Sequence, residues 1–418
     1  MATTTPDRIL TLDVIRGVAV MGIFSVNVIA MAMIESAYSY PPAYGFHSFA
    51  DRLIWLLNLT FIDGKMRALF SMLFGASMLL VVERAVAAGR SGWRTHYARM
   101  FVLMILGLLH FVLLWWGDIL THYAAVGMVA FLAHRLAPEK LLSLSATGFL
   151  IFAAASIAGT VEGYRLAPKL ESSTPSAELR PAVEQARELL HPSRARIAAD
   201  KAQHASVVAH ARAAIPKRLA DPFDFGPLWF ETLALMLLGM AALRTGYLTG
   251  EWGDPAYKRI AAVTLGGGWT VYAALGIFVW SRGFSPPDTR MAYGGVTTLL
   301  RPLMALGYAA LFILLFRRAS WLRARIAAVG RAAFTNYIGS TLVGTAVFFG
   351  TGLGLYGTVS RAQAWLLVPI VWGLMLLWSK PWLDRFNYGP FEWAWRSLAR
   401  GEIQPMLKNG GAAAIVAA

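Results

Sequence analysis

The sequence predicts an all-α fold, a polytopic transmembrane helical bundle of about ten spans. Of its 418 residues, 57% are hydrophobic and only 15% are charged, against roughly 25% charged residues in soluble globular domains. Several of the 15 tryptophans stand at the ends of apolar runs, where amphipathic rings favour the membrane interface. The net charge of +15 falls mostly in short loops between these runs, so we expect a lipid bilayer and no nucleic acid as partner.

The apolar runs set the predicted topology. A helix needs about 20 residues to cross a bilayer, and candidate spans lie near 14–34, 66–84, 99–117, 119–135, 141–161, 227–244, 259–280, 296–316, 332–351 and 363–383. No small-residue cleavage pattern follows the first run, so we expect it to be a retained helix. Lys and Arg concentrate in alternate loops, which predicts that both termini are cytoplasmic, N-in and C-in.

Four segments follow from this pattern. Residues 1–161 form an N-terminal transmembrane bundle with the candidate site, 162–226 an external helical insertion, 227–385 a C-terminal transmembrane bundle, and 386–418 a cytoplasmic amphipathic tail. We expect the insertion's histidines, His191, His204 and His210, to lie on a solvated face and bind no metal. The absence of cysteine excludes disulfides, thiolate metal sites and a cysteine nucleophile.

The first span carries an arginine and an asparagine. Charged side chains near the bilayer centre cost about 2.5–3.5 kcal/mol on insertion scales, so such a residue suggests function. Arg16 and Asn27 are eleven residues apart, which places them on one helical stripe about 16 Å apart. The simpler interpretation is that Arg16 anchors the cytoplasmic end beside Asp13 and that Asn27 makes a helix–helix hydrogen bond.

The second polar group is the sequence "FIDGKMRALF". Asp63, Lys65 and Arg67 are too charged for lipid, and the apolar piece before them is too short to span. We therefore predict an outer interfacial or re-entrant helix that turns into the second span, with these charges lining an outer-facing cavity. A surface turn with a salt bridge is the alternative. Gly75, further along this span, is expected to allow close helix packing.

The third group is "GLLHFVLLWWGDILTHYAAVG". His110 stands near the outer end of the third span, Trp116 marks the interface, and Asp118 and His122 follow in a short turn. Imidazole is the commonest general acid or base, and a carboxylate can orient it. Either the helix ends and Asp118 folds back to His110, or Asp118 serves His122 or His47. A purely structural hydrogen bond of His110 is the simpler alternative.

These stretches, together with "GRAAFTNYI" and "FNYGPFEWAWRSL", resemble the YeiB-type family of bacterial inner-membrane proteins, whose domain is of unknown function. A more distant resemblance is to membrane acyltransferases with an arginine, ten residues and a catalytic histidine in the first span. Heparan-alpha-glucosaminide N-acetyltransferase is similar in having asparagine at that place and its histidine in the next non-cytoplasmic loop. His47 lies in the matching loop here, and His110 is its competitor.

The resemblance implies a membrane acyltransferase that moves an acyl group from a cytoplasmic acyl-CoA-type donor to an envelope or periplasmic acceptor. The acceptor would be an envelope glycan, a lipid or a small amine, and a homodimer is left open. The implied roles are catalytic for His110, Asp118, His47 and Asn27, donor-binding for Arg16, and substrate-binding for Asp63, Lys65, Arg67, Trp116 and His122. The alternative is a transporter or lipid-handling protein that uses the same polar cavity without catalysis.

Overall fold

The computed structural model describes residues 9–171, 180–221, 226–318 and 320–408, and regular structure in these ranges is helical. Extended backbone pairs there in one isolated antiparallel bridge, between Phe386 and Leu407. The first helices are α1 (Leu10–Ala32), α2 (Glu35–Ser39), α3 (Phe49–Phe61), α4 (Lys65–Ala87), α5 (Gly92–Leu113), α6 (Leu120–Ala130) and α7 (Pro138–Glu171).

The chain continues through three insertion helices, α8 (Arg180–Leu190), α9 (Arg194–Gln203) and α10 (Val207–Ala220). The remaining helices are α11 (Leu228–Arg244), α12 (Asp254–Ser281), α13 (Pro286–Tyr293), α14 (Leu300–Leu315), α15 (Trp321–Arg331), α16 (Ala333–Phe348), α17 (Arg361–Trp365), α18 (Leu367–Arg385) and α19 (Pro390–Arg400). Residues 172–179 and 222–225 of the predicted insertion and 409–418 of the predicted tail lie outside the described residues.

Seven helical segments in the described ranges are long and apolar enough to cross a membrane. They are Leu10–Ala32, Phe49–Ala87, Gly92–Leu113, Pro138–Lys169, Asp254–Ser281, Pro286–Leu315 and Arg361–Arg385. The predicted all-α polytopic bundle is therefore confirmed. Three predicted spans are shorter helices, α6, α11 with 17 residues and α16 with 16 residues, so the count of ten and the orientation remain predictions.

Helix α7 is longer than its predicted span. It continues past residue 161 to Glu171, so the first residues assigned to the insertion extend a membrane helix. The charges of this stretch did not end the helix, because a helix that leaves the bilayer can continue in water.

The predicted break between the outer helix and the second span is present. Ser48 and Asp51 form a capping box that starts α3: the Ser48 hydroxyl oxygen accepts from the Asp51 backbone nitrogen at 3.1 Å, and the Asp51 carboxylate accepts from the Ser48 backbone nitrogen at 2.9 Å. Gly64 has a φ of 72°, in the left-handed region that favours glycine. This turn places the start of α4 inside the bundle.

Glycines let the central helices pack backbone to backbone. A Cβ on Gly75 of α4 would lie 2.1 Å from the Met236 carbonyl oxygen of α11, and one on Gly239 would lie 1.8 Å from the Met72 carbonyl oxygen. Small residues at such contacts permit the close approach that membrane helices use. The expected packing role of Gly75 is confirmed, and α4 and α11 form the centre of the bundle.

The insertion helices dock on one end of the bundle, which we call the insertion end. The Lys217 ammonium lies 2.8 Å from the Glu35 carboxylate, and the Asp200 carboxylate accepts from the Glu35 backbone nitrogen at 2.9 Å. His210 Nε2 donates to the Phe111 carbonyl at 3.1 Å, and the His204 ring stacks on Tyr356 with centroids 4.0 Å apart.

The expectation of solvated histidines is therefore wrong for two of the three. His204 and His210 are both 4% exposed, while His191 is exposed. The sequence around them is polar, but the imidazoles face the bundle and hydrogen-bond to backbone carbonyls. Burial lowers the pKa of His210.

The opposite end, which we call the terminal end, holds both the start of α1 and helix α19. The described part of the predicted amphipathic tail contains helix α19, which begins at Pro390. The Glu392 carboxylate is 8% exposed and accepts from the backbone nitrogens of Phe334 and Thr335 at 2.7 and 3.1 Å. It therefore caps the N-terminus of α16 as well as starting its own helix.

Candidate functional site

A carboxylate held between two arginines lies inside the bundle near the insertion end. The Glu231 side chain of α11 is fully buried. One of its oxygens accepts from Arg67 of α4 at 2.5 Å, and the other accepts from Arg301 of α14 at 3.0 Å. Arg301 also donates to the Tyr293 carbonyl. Three helices, α4, α11 and α14, are thus joined by one ionic group that contains two positive charges and one negative charge.

Lys65 brings a further buried cation to the same region. Its side chain is fully buried, donates to the Leu59 carbonyl, and lies with Nζ 3.1 Å from the centre of the Tyr272 ring. An ammonium over an aromatic face gains from the ring quadrupole, most of all where water is excluded. The predicted charged cluster is therefore inside the protein, and a simple surface turn does not describe it.

A narrow cavity lies beside these charges, with room for about one water molecule. We call it the insertion-end cavity, and its lining includes the predicted Asp63. The other residues that line it are Val26, Ile29, Tyr38, Trp55, Asn58, Tyr293 and Arg361. Asp63 therefore faces a cavity as predicted, whereas Lys65 and Arg67 lie behind its wall in contact with protein groups.

His110 and Asp118 meet directly. Helix α5 ends at Leu113 and the chain folds back, so that His110 Nδ1 lies 3.1 Å from the Asp118 carboxylate, with both side chains no more than 1% exposed. The carboxylate also accepts from the backbone nitrogens of Leu120 and Thr121 at 3.1 and 2.9 Å. Of the alternatives for Asp118, the structure has the one in which it folds back to His110.

The other nitrogen of His110 faces a hydroxyl. Nε2 lies 3.1 Å from Thr341 Oγ1 of α16, and this hydroxyl is also 3.3 Å from the Tyr337 carbonyl. Because a carboxylate oxygen accepts, Nδ1 donates to Asp118, and Nε2 is left facing the Thr341 hydroxyl. The result is a carboxylate, an imidazole and a hydroxyl in series.

The remaining predicted residues of the insertion end are separated from this series. His122 is 3% exposed, contacts the Thr232 hydroxyl at 3.0 Å through Nε2, and has no hydrogen-bond partner for Nδ1 among the described residues. Trp116 packs edge-on against Tyr38, with ring centres 6.1 Å apart. His47 is exposed at the start of α3 and is not part of the cavity lining.

The two polar residues of α1 have different surroundings. Arg16 donates to the Asp13 carboxylate at 3.0 Å and to the Ser77 hydroxyl at 2.7 Å, and so joins α1 to α4. Asn27 is partly buried and makes no side-chain hydrogen bond among the described residues. The simple anchoring interpretation therefore describes Arg16 well, while a helix–helix hydrogen bond is not what Asn27 makes.

A second cationic group lies at the terminal end. The Arg99 guanidinium of α5 lies 4.2 Å from the centre of the Trp395 ring of α19. The positive charges of Arg396 and Arg400 are near enough to repel that of Arg99. Within the described ranges, no three His, Cys, Asp or Glu side chains are placed to hold a metal ion.

Sequence reasoning missed Glu231, Arg301 and Arg361. The signal was available for Glu231, which is an acidic residue inside the apolar run "LWFETLALMLLGM". Arg361 stands in a predicted outer loop, where it reads as an ordinary loop charge, and Arg301 stands near the start of the predicted span 296–316. Their importance depends on which helices meet, and spacing along the chain does not reveal that.

Comparison with known proteins places the chain in a family. The family described as "Protein of unknown function (DUF418)" matches residues 242–402. Uncharacterized protein YeiB of Escherichia coli (strain K12) is 30% identical over 408 residues, which cover 96% of this chain and 99% of that protein. The chain belongs to the YeiB family. It is a multi-pass membrane protein, and its relatives are bacterial.

Two further bacterial relatives match almost the whole chain. Uncharacterized protein YxaH of Bacillus subtilis (strain 168) is 30% identical over 430 residues, with 97% of this chain and 98% of that protein covered. An uncharacterized 39.9 kDa protein of Bacillus acidopullulyticus is 24% identical over 403 residues, 96% of each chain. No solved structure matches the chain. The predicted YeiB-type membership is confirmed, and the family's printed names assign no reaction.

Proposed function

We propose that this protein is a membrane acyltransferase that moves an acyl group from a cytoplasmic acyl-CoA-type donor to an envelope or periplasmic acceptor, and that it works in the bacterial inner membrane. The observation that carries the proposal is the series Asp118, His110 and Thr341, with both contacts of the imidazole at 3.1 Å. A carboxylate that orients an imidazole, with a hydroxyl on the second nitrogen, is the arrangement used to activate oxygen nucleophiles in acyl transfer.

In this proposal, His110 is the general base and Asp118 the group that orients it. Nε2 of His110 takes the proton of the acceptor's hydroxyl or amine as the acceptor's oxygen or nitrogen forms a bond to the acyl carbon. The carbon–sulfur bond of the thioester breaks, and the proton passes from His110 to the leaving thiolate. The products are the acylated acceptor and free thiol. The acceptor would take the place next to Nε2 that Thr341 now occupies.

The terminal end supports a donor with phosphates. Arg99 lies there over the Trp395 ring, near the charges of Arg396 and Arg400, and guanidinium groups bind phosphates through paired hydrogen bonds. Arg16 lies further inside, where its contacts with Asp13 and Ser77 hold helices together. The donor-binding role predicted for Arg16 remains a prediction. In this proposal Arg99, Arg396 and Arg400 bind most of the donor's phosphates.

The proposal is tested with the full chain in inverted membrane vesicles supplied with radiolabelled acetyl-CoA. We expect label in a glycan, lipid or amine fraction with the native chain and loss of that label in H110Q. The matched control is H191A, which changes an exposed histidine of the insertion and should transfer normally. T341V should retain transfer if Thr341 is only a placeholder for the acceptor.

A binding measurement covers the case in which H110Q fails to fold. Ligand at one hundred times its Kd stabilises the folded state by about 2.7 kcal/mol. Acetyl-CoA should therefore raise the Tm of both the native chain and a folded H110Q in detergent. Absence of both label transfer and a Tm shift, or full transfer by a folded H110Q, would overturn the proposal.

A transporter or lipid-handling protein is the second candidate, and the ionic group around Glu231 favours it. Buried ion pairs beside a cavity mark substrate paths in many membrane proteins. The two functions separate in the same vesicles, because a transporter moves an unmodified substrate and leaves acetyl-CoA intact.

A further inference from the structure

An apolar groove opens at the terminal end of the bundle. It lies between the end of α18, helix α19 and the segment that follows α19, and its volume is about 290 Å³. Pockets that hold small ligands begin at about 300 Å³, so this groove has room for part of a ligand. We call it the terminal-end groove, and it is lined by Trp382, Pro390, Phe391, Trp393, Ala394 and Met406.

The polar atoms of this wall already have partners. Trp382 Nε1 donates to the Tyr388 carbonyl at 2.9 Å. Trp393 Nε1 donates to the Gln404 carbonyl at 2.7 Å. The other lining side chains, of proline, phenylalanine, alanine and methionine, have no strong donor or acceptor. A peptide in the groove would leave its backbone groups without partners, whereas a hydrocarbon chain has no such groups. The wall therefore suits a hydrocarbon chain.

The groove stands where a membrane helix ends. Trp382 belongs to the last turn of α18, and the segment Arg361–Arg385 is long and apolar enough to cross a membrane. Phe386 stacks on the Trp382 ring just beyond this segment, with ring centres 4.2 Å apart. Tryptophan favours the boundary between the hydrocarbon and the headgroups of a bilayer. We therefore expect the groove to meet lipid at that boundary.

Basic side chains outnumber acidic ones around the groove. Residues 385–408 contain Arg385, Arg396, Arg400 and Lys408 against Glu392 and Glu402. Glu392 is turned into the bundle, where it caps α16. The exposed Arg385 and Lys408 lie side by side next to the wall, because the Lys408 backbone nitrogen donates to the Arg385 carbonyl at 3.2 Å. Arginine stays charged at neutral pH, so an anion is favoured at this edge.

We propose that the terminal-end groove binds one acyl chain of an anionic phospholipid, with the lipid phosphate toward Arg385 and Lys408. The chain itself gains little, because the hydrocarbon of the bilayer is as apolar as the wall. Selection among lipids therefore comes from the headgroup charge, and each basic residue near an anionic lipid surface strengthens binding about fivefold. The inference goes beyond the proposed acyl transfer and does not depend on it.

The test counts lipids on the purified, delipidated full chain in detergent by native mass spectrometry, together with the shift in Tm. The probes are phosphatidylglycerol, phosphatidylcholine with the same chains but no net charge, and glycerol phosphate, which has the anion without the chains. We expect each chain to retain one phosphatidylglycerol at a concentration where it retains neither of the other two. Palmitoyl-CoA tests an acyl donor as the occupant and should leave the phosphatidylglycerol in place.

Variants of the wall locate the acyl chain. A394W fills the groove with an indole and should weaken phosphatidylglycerol binding by about tenfold or more. L398W is the matched control, because Leu398 lies on the same helix, is 61% exposed and is not part of the lining. If A394W fails to fold, M406D places a carboxylate in the wall and should have the same effect.

Variants of the edge locate the phosphate. R385Q should weaken phosphatidylglycerol binding about fivefold and R385K should retain it. R282Q is the matched control, because the side chain of Arg282 is 64% exposed and follows α12 at the insertion end. I415D tests whether the chain's own C-terminal residues are the occupant, since apolar residues follow Lys408 in the sequence. This variant should bind phosphatidylglycerol as the native chain does.

Each outcome decides. One retained phosphatidylglycerol that is lost in A394W or M406D, weakened in R385Q and kept in both controls would support the inference, with or without acyl transfer. Equal retention of phosphatidylcholine, equal binding by A394W and L398W, equal loss in R385Q and R282Q, or displacement by palmitoyl-CoA would overturn it. Stronger binding by I415D would assign the groove to the C-terminal residues and overturn it as well.

Discussion

The buried carboxylate of Glu231 offers the sharpest prediction about stability. In E231Q the side chain keeps its shape and one acceptor oxygen but loses its charge. Arg67 and Arg301, which donate to it at 2.5 and 3.0 Å, would then face each other without an anion between them. Their side chains are only 23% and 11% exposed, so water compensates poorly.

The magnitude follows from the burial of the group. Removing one partner of a buried ion pair costs about 3–5 kcal/mol, because the remaining charge stays unpaired in the interior. An unfolding entropy of about 2.1 cal/mol/K per residue gives roughly 0.9 kcal/mol/K for a chain of this length, so the Tm should fall by about 3–6 °C.

The assay is thermal unfolding of purified protein in detergent, followed by tryptophan fluorescence. The matched control is E83Q, since Glu83 pairs with Arg244 at 3.5 Å with its side chain 50% exposed. Exposed pairs contribute about 0–1 kcal/mol, so E83Q should shift the Tm by about 1 °C or less. The double variant E231Q/R301Q should recover part of the loss. Equal Tm values for E231Q and E83Q would refute the reasoning.

Two further predictions concern helix packing and the insertion. G330A should prevent normal assembly, because a Cβ at this position would lie 1.8 Å from the Asp13 carbonyl oxygen. In G339A the new Cβ would have no atom within 4 Å, so this variant should be neutral or stabilising by about 1 kcal/mol. The yield of folded protein on size exclusion checks both expectations. Because burial lowers the pKa of His210, protons favour its undocked form, so docking should weaken as the pH falls below about 6.5. Hydrogen exchange across Val207–Ala220 should rise on acidification in the native chain and in H191A but not in H210A, and a pH-independent native chain would contradict this.

Much of the fold follows from hydropathy and loop charge. Helix α1 runs from Leu10 to Ala32 where the sequence predicts 14–34, and α18 runs from Leu367 to Arg385 where it predicts 363–383. These helices were predictable because lipid imposes a length and an apolar composition on each crossing. The end of α7 was not, because outside the bilayer nothing in the hydropathy marks where a helix stops.

The candidate site was predictable only in part. Spacing within one segment suggested His110 and Asp118, and the chain reversal that joins them was one of two alternatives. Thr341 is 231 residues away from His110, and Glu231 is 164 residues away from Arg67, so no local pattern relates them. Residues that come together through the packing of distant helices need the packing itself to be known.

Asp118 links the assembly of the protein to the chemistry proposed for it. One carboxylate accepts from His110 and from the first backbone nitrogens of α6, so its loss would both release the imidazole and leave a helix start uncapped. Selection for a correctly folded membrane helix and selection for an oriented base would then act on the same atoms. Such a residue would tolerate little change even in a relative that had lost its reaction, so retention of Asp118 alone would be weaker testimony to activity than retention of His110.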